Sequence, residues 1–167
     1  MLEKVGDGHT YRITITLLLR FGDVEVGHHH HSSMNAAVDS SKAMRKILVV
    51  DDSPMLREMI SGLLNKTGLS ISVAKDGHEA KEKIAAEPPD LVVLDVVMPN
   101  MNGYELCRWV KSNEATKDVL VILCSSKSEE FDRYWGIKQG ADAYVIKPFR
   151  PGDLLGTVKS LLASKAA

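Results

Sequence analysis

From Lys46 onward the apolar residues of this chain switch regularly between short continuous runs and helical periods. A run of four or five apolar residues reads as a strand buried on both faces, and a 3.6-residue period between two such runs reads as the crossover helix that makes them parallel. The runs are Ile47 to Val50, Ile71 to Ala74, Leu91 to Leu94, Leu120 to Leu123 and Ala143 to Ile146. Between the first two, Leu56, Met59, Ile60, Leu63 and Leu64 line one helical face, with Ser53 placed as N-cap and Pro54 at the first helical position. Further helices are predicted over 78–86, 103–112, 128–139 and 152–164, the last burying Leu154, Leu155, Val158, Leu161 and Leu162. With right-handed crossovers the economical arrangement is an α/β, doubly wound (βα)5 parallel sheet in strand order 2-1-3-4-5.

Bulk properties narrow the function classes. The 21 Lys and Arg against 22 Asp and Glu leave a net charge of −1 without a basic run, which argues against direct nucleic-acid binding. No apolar run approaches the roughly 20 residues that cross a bilayer, and the N-terminus lacks the order of a signal peptide, so a cytoplasmic protein is expected. Cys107 and Cys124 are too few for a disulfide framework and are not spaced as metal ligands.

The segment before Arg45 reads differently. Residues 1–45 are expected to be an N-terminal tag and linker, and 46–167 the domain. His28 to His31, followed by Ser32 and Ser33, resemble a purification tag with a new start at Met34, the other reading being a metal-binding tract. Over 11–21, Tyr11, Ile13, Ile15, Leu17, Leu19 and Phe21 alternate with polar residues at strand period, and Gly22-Asp23 would suit a hairpin turn back into 24–26. Such a hairpin is marginal alone, so it is expected to fray, pack on the domain or pair with another chain. No function is assigned to it.

Chemistry is expected where strand order reverses, beyond the carboxyl ends of the first and third strands. Both end in aspartate: Asp51-Asp52 and Asp95. Two carboxylates about 5 Å apart at an effective dielectric of about 20 repel by roughly 3 kcal/mol, so three of them call for a cation. Oxygen ligands without His or Cys suit Mg²⁺ or Mn²⁺ better than zinc. Lys147 closes the fifth strand and Ser125 follows the fourth, with Ser126 as the alternative hydroxyl. A carboxylate nucleophile, a cation on the transferring oxygens, and an ammonium and a hydroxyl for the remaining charge make a logic for phosphoryl transfer.

Four blocks now carry a family resemblance over about 46–164. Val49-Val50-Asp51-Asp52-Ser53, Leu94-Asp95-Val96-Val97-Met98-Pro99 with Gly103, Leu123-Cys124-Ser125-Ser126, and Tyr144-Val145-Ile146-Lys147-Pro148-Phe149 resemble the receiver domains of bacterial response regulators, which are flavodoxin-like. The resemblance implies that Asp95 accepts a phosphoryl group from a sensor histidine kinase or phosphotransfer protein. It implies that Asp51, Asp52 and Asp95 hold Mg²⁺ with the Val97 backbone carbonyl, that Ser125 and Tyr144 act as the switch, and that Lys147-Pro148 is cis. On this view the chain is a phosphoacceptor switch rather than an enzyme acting on other molecules.

Asp132-Arg133-Tyr134-Trp135-Gly136 further resembles receivers of pilus-motility and chemotaxis pathways. The resemblance places the output face on helix 4, strand 5 and helix 5, with Trp135, Tyr134 and Tyr144 as candidate contacts. Because the chain ends just after its fifth helix, a single-domain regulator signalling by protein–protein contact is expected. Two positions depart from the pattern: Asn102 stands where aspartate usually precedes the loop glycine, and Lys127 stands two after the hydroxyl residue, beside the water's path, so an altered dephosphorylation rate is expected. A phosphatase of the haloacid-dehalogenase type would need Asp-x-Asp-x-Thr/Val after the first strand, which Asp51-Asp52-Ser53-Pro54-Met55 does not supply. A receiver-like scaffold working without phosphate is the remaining rival.

Overall fold

The computed structural model describes residues 2–5, 10–13 and 45–166. Its strands are β1 (Leu2–Val5), β2 (Thr10–Ile13), β3 (Lys46–Val50), β4 (Ser70–Ala74), β5 (Leu91–Asp95), β6 (Leu120–Ser125) and β7 (Ala143–Ile146). The helices are α1 (Pro54–Asn65), α2 (Gly77–Ala86), α3 (Gly103–Ser112), α4 (Glu130–Lys138) and α5 (Pro151–Ala166). The sheet runs β1-β2-β7-β6-β5-β3-β4. Its five strands from β3 onward are parallel, in the predicted 2-1-3-4-5 order when numbered among themselves.

Strand pleat divides the core. Leu48, Val50, Val92, Leu94, Val121 and Leu123 face α2, α3 and α4, whereas Ile47, Val49, Leu91, Val93, Ile122 and Cys124 face α1 and α5. Continuous apolar runs were needed because both faces are covered; β5 is buried along its whole length. At the β4 edge the covering thins, and of its five residues only Ala74 is buried.

Local chemistry sets the helix starts. The Ser53 hydroxyl accepts from the Leu56 amide to cap α1, with Pro54 following; Asp76 caps α2 through Glu79, and Asn102 caps α3 through Glu105. Helix α4 starts at Glu130, two residues after the sequence reading, and its cap position Glu129 makes no side-chain cap bond.

Two further strands extend the sheet, β2 overlapping the strand expected over 11–21 and β1 lying outside the sequence reading. β2 pairs antiparallel with β1 on one side and with β7 on the other, placing Tyr11 opposite Tyr144. Of the expected strand over 11–21, residues 11–13 are strand, partnered by β1 and β7. The proposed turn at Gly22-Asp23 and its return over 24–26 lie outside the described residues, as does the histidine run. Among the described residues no helix is long and apolar enough to cross a membrane.

Candidate functional site

β3 and β5 lie side by side and carry Asp51, Asp52 and Asp95 to one end of the sheet. Carboxylate oxygens of all three lie within 4.8 Å of one another. At an effective dielectric of about 20, each such pair repels by about 3 kcal/mol, so the cluster is built to take up positive charge. Asp51 and Asp95 are buried, at 2% and 8% exposure, whereas Asp52 is open to solvent. The donor set is all oxygen with no His or Cys, which fits a hard divalent cation and leaves the exposed side for water ligands.

Lys147 is the positive charge the protein itself supplies. Its ammonium donates to Asp51 Oδ2 at 2.8 Å and to Asp95 Oδ1 at 3.2 Å. Burial works against its charge, but the Asp51 hydrogen bond and the charges of Asp95 and Asp51 outweigh it, and its pKa is raised. Burial likewise raises the pKa of Asp95, with Lys147 opposing and Asp51 and Asp52 adding to the rise. Lys147 reaches the rim because β7 follows β6 in register, with its amide donating to the Ser125 carbonyl at 2.8 Å, and the Lys147-Pro148 peptide is cis, as expected.

The Asp51 carboxylate is tied from two sides, its Oδ1 accepting from the Ser53 amide at 2.9 Å. Its backbone carbonyl accepts from the Arg57 guanidinium at 2.7 Å, a charge-assisted bond from α1 that the sequence reading missed. Behind Asp95 the space is closed by Gly103, where a Cβ would fall 2.3 Å from the Asp95 carbonyl oxygen. The loop between them turns through Asn100, at φ 69°, and closes with the Gly103 amide donating to the Val96 carbonyl at 2.8 Å. Val97 lies in this loop with its side chain turned to solvent, 55% exposed. Asn102, one of the two departures, does the capping that aspartate would do equally well.

Of the two candidate hydroxyls, Ser125 is the buried one at the end of β6, and Ser126 is exposed. Ser125 Oγ accepts from the Lys127 amide at 3.1 Å, and the Tyr144 hydroxyl donates to the Lys127 carbonyl at 2.9 Å. Lys127 is thus held by its main chain while its side chain is exposed. Tyr144 faces inward and is 1% exposed, so it does not present its ring on the output surface as the sequence reading supposed. Its ring fills the space left by Gly136 of α4, where a Cβ would meet Tyr144 Cδ2 and Leu123 Cδ1 at 3.0 Å.

The other two output candidates are exposed: Tyr134 lies beneath the Lys138 ammonium, and Trp135 stacks on exposed Phe131 at 6.3 Å. Cys107 and Cys124 are buried free thiols, each pushed up to about 12 by burial, which leaves them protonated and inert.

Known proteins share this arrangement. Residues 47–159 match the family model described as the response regulator receiver domain. Protein PilG of Pseudomonas aeruginosa is 40% identical over 71% of this chain and 88% of its own length, and Protein PilH of the same organism is 36% identical over 72% and 99%. The transcriptional regulatory protein GltR of that organism is 36% identical, but the matched segment spans 49% of it. Among solved structures, chemotaxis protein CheY4 of Vibrio cholerae superposes with a TM-score of 0.68 at 33% identity, over 71% of this chain and 99% of that one. With the parallel order, the acidic strand ends and the match across 47–159 in agreement, this chain belongs to the response regulator receiver domain family of two-component phosphorelay signalling.

Proposed function

We propose that Asp95 is the phosphoacceptor and that the chain is a Mg²⁺-dependent switch, charged by a sensor histidine kinase or phosphotransfer protein and read by a protein partner. The observation that carries this is the Lys147 ammonium spanning Asp51 and Asp95 inside the acidic cluster. Asp51, Asp52 and Asp95, with the Val97 carbonyl, would hold the metal; when bound, it neutralises charge on the transferring oxygens.

In this reading an Asp95 carboxylate oxygen attacks phosphorus in line. The new O–P bond forms as the bond from phosphorus to the donor's leaving group breaks, and the leaving group departs with the electron pair. Lys147, already bonded to Asp95, compensates the charge that remains on the phosphoryl oxygens. The Ser125 hydroxyl, now bonded to Lys127, is the second group that turns to them. Output passes through the α4–β7–α5 face, with Trp135 and Tyr134 as exposed contacts and Tyr144 as the internal switch.

The similarity to PilG, PilH and CheY4 supports a role in pilus-motility or chemotaxis-type signalling in the cytoplasm. The working domain is 46–167, and residues 1–45 are an appendage to it. The test is intact-protein mass after incubation with Mg²⁺ and phosphoramidate or acetyl phosphate. The expected result is a labile gain of one phosphoryl group in the parent and none in Asp95→Asn; no gain in the parent would move the assignment to a phosphate-independent scaffold.

A further inference from the structure

Helix α4 is weakly held by its own sequence. It is nine residues long, has no side-chain cap bond at Glu129, and buries only Gly136. A short helix without a cap needs tertiary contacts to stay formed. One polar contact comes from α3: the Tyr104 hydroxyl donates to the carbonyl of Asp132, in the first turn of α4, at 3.3 Å. The Tyr104 ring packs against the core cluster that contains Tyr144, and the two hydroxyls are close enough to influence each other's titration. Both phenols are donors at neutral pH, and burial raises them further.

We propose that Tyr104 is the latch of α4: its hydroxyl holds the first turn of the helix whose Gly136 packs on the inward Tyr144 ring, and so sets how readily helix and Lys127 loop rearrange. The Tyr144 hydroxyl is committed to Lys127 and the Lys127 amide to Ser125, so a phosphoryl group that draws Ser125 away disturbs both bonds. The Tyr104 bond to the Asp132 carbonyl then remains as a hydroxyl tie on α4 that is made directly to neither Ser125 nor Lys127. The trigger in this scheme rests on Asp95 being the phosphoacceptor; the latch itself does not.

The experiment compares the full chain with Tyr104→Phe, which keeps the ring and removes the hydroxyl, and with Tyr104→Leu. Amide hydrogen exchange is read across α4, with β5 as internal reference, alongside the rate of phosphorylation by phosphoramidate and Mg²⁺. In Tyr104→Phe, α4 exchange is expected to rise about three- to tenfold, the effect of one hydrogen bond, with β5 unchanged and phosphorylation faster. Unchanged α4 exchange in Tyr104→Phe overturns the latch, and a rise confined to Tyr104→Leu assigns the effect to ring packing instead. Faster exchange with an unchanged phosphorylation rate overturns the coupling to the site. If the parent takes up no phosphoryl group, the phosphoacceptor reading falls, and the exchange comparison alone decides the latch.

Discussion

The Lys147 ammonium lies 2.8 Å from Asp51 Oδ2, joining two residues 96 positions apart across the end of the sheet. Both partners are largely buried, with side-chain exposures of 15% and 3%. Removing one partner of a buried pair leaves the other uncompensated, at a cost of about 3 kcal/mol. Lys147→Met is therefore expected to lower stability by about that amount without metal, measured by urea unfolding, and added Mg²⁺ should recover part of the loss.

Asp95 presents the opposite sign. Its folded pKa is raised, chiefly by burial, so the folded state holds its proton more tightly than the unfolded chain does. Stability then falls as pH rises from the unfolded carboxylate pKa through the folded one, and the full penalty is present above that window. Asp95→Asn removes the penalty. Without metal its Tm should exceed the parent's at pH 7, with the gap closing as the pH is lowered below the unfolded value; a variant less stable than the parent at pH 7 would contradict this.

Asp52 is exposed and makes its contribution through the cluster alone. Asp52→Asn is expected to leave metal-free stability within about 0.5 kcal/mol of the parent. What it should lose is stabilisation by Mg²⁺, expected for the parent at about 1.4 kcal/mol at ten times the dissociation constant. Thermal unfolding across a Mg²⁺ titration separates the two effects.

Legibility in the sequence followed the range of the interactions. The five parallel strands were visible because two buried faces force continuous apolar runs, and the acidic site was visible because it sits at the ends of two of them. Ser125 could be preferred over Ser126 but not fixed, since that depended on where β6 ends; the strand continues through Ser125 and buries it. Arg57 and Tyr104 carried no comparable signal. Each acts through a backbone carbonyl, and Tyr104 reaches one 28 residues away, where residue type leaves no mark. The resemblance implies Tyr144 as both switch and surface contact; its burial follows from a glycine on α4, a pairing no local pattern reveals.

That glycine yields a further prediction. At Gly136 a Cβ would already stand 3.0 Å from Leu123 and Tyr144, so a branched side chain must displace the tyrosine ring. Gly136→Val is expected to destabilise the fold by about 1–3 kcal/mol and to drive Tyr144 outward, seen as loss of the Tyr144–Lys127 hydrogen bond in a crystal structure of the variant.

Lys127 is the last position to probe. Its main chain does the bonding and its side chain is exposed, so Lys127→Ala should leave Tm unchanged. If the side chain shields the water's approach, the phosphorylated form of the variant should decay about threefold faster, a barrier change of about 0.65 kcal/mol. An unchanged lifetime removes Lys127 from the chemistry.

The close approach of Gly103 to the Asp95 carbonyl makes the two halves of the domain mechanically unequal. Strand β5 and the start of α3 touch backbone to backbone, with no side chain between them to yield. They form an anvil beneath the Asp95 carboxylate, whereas α4 meets the sheet through the side chains of Leu123 and Tyr144 at the Gly136 notch, where side chains can give.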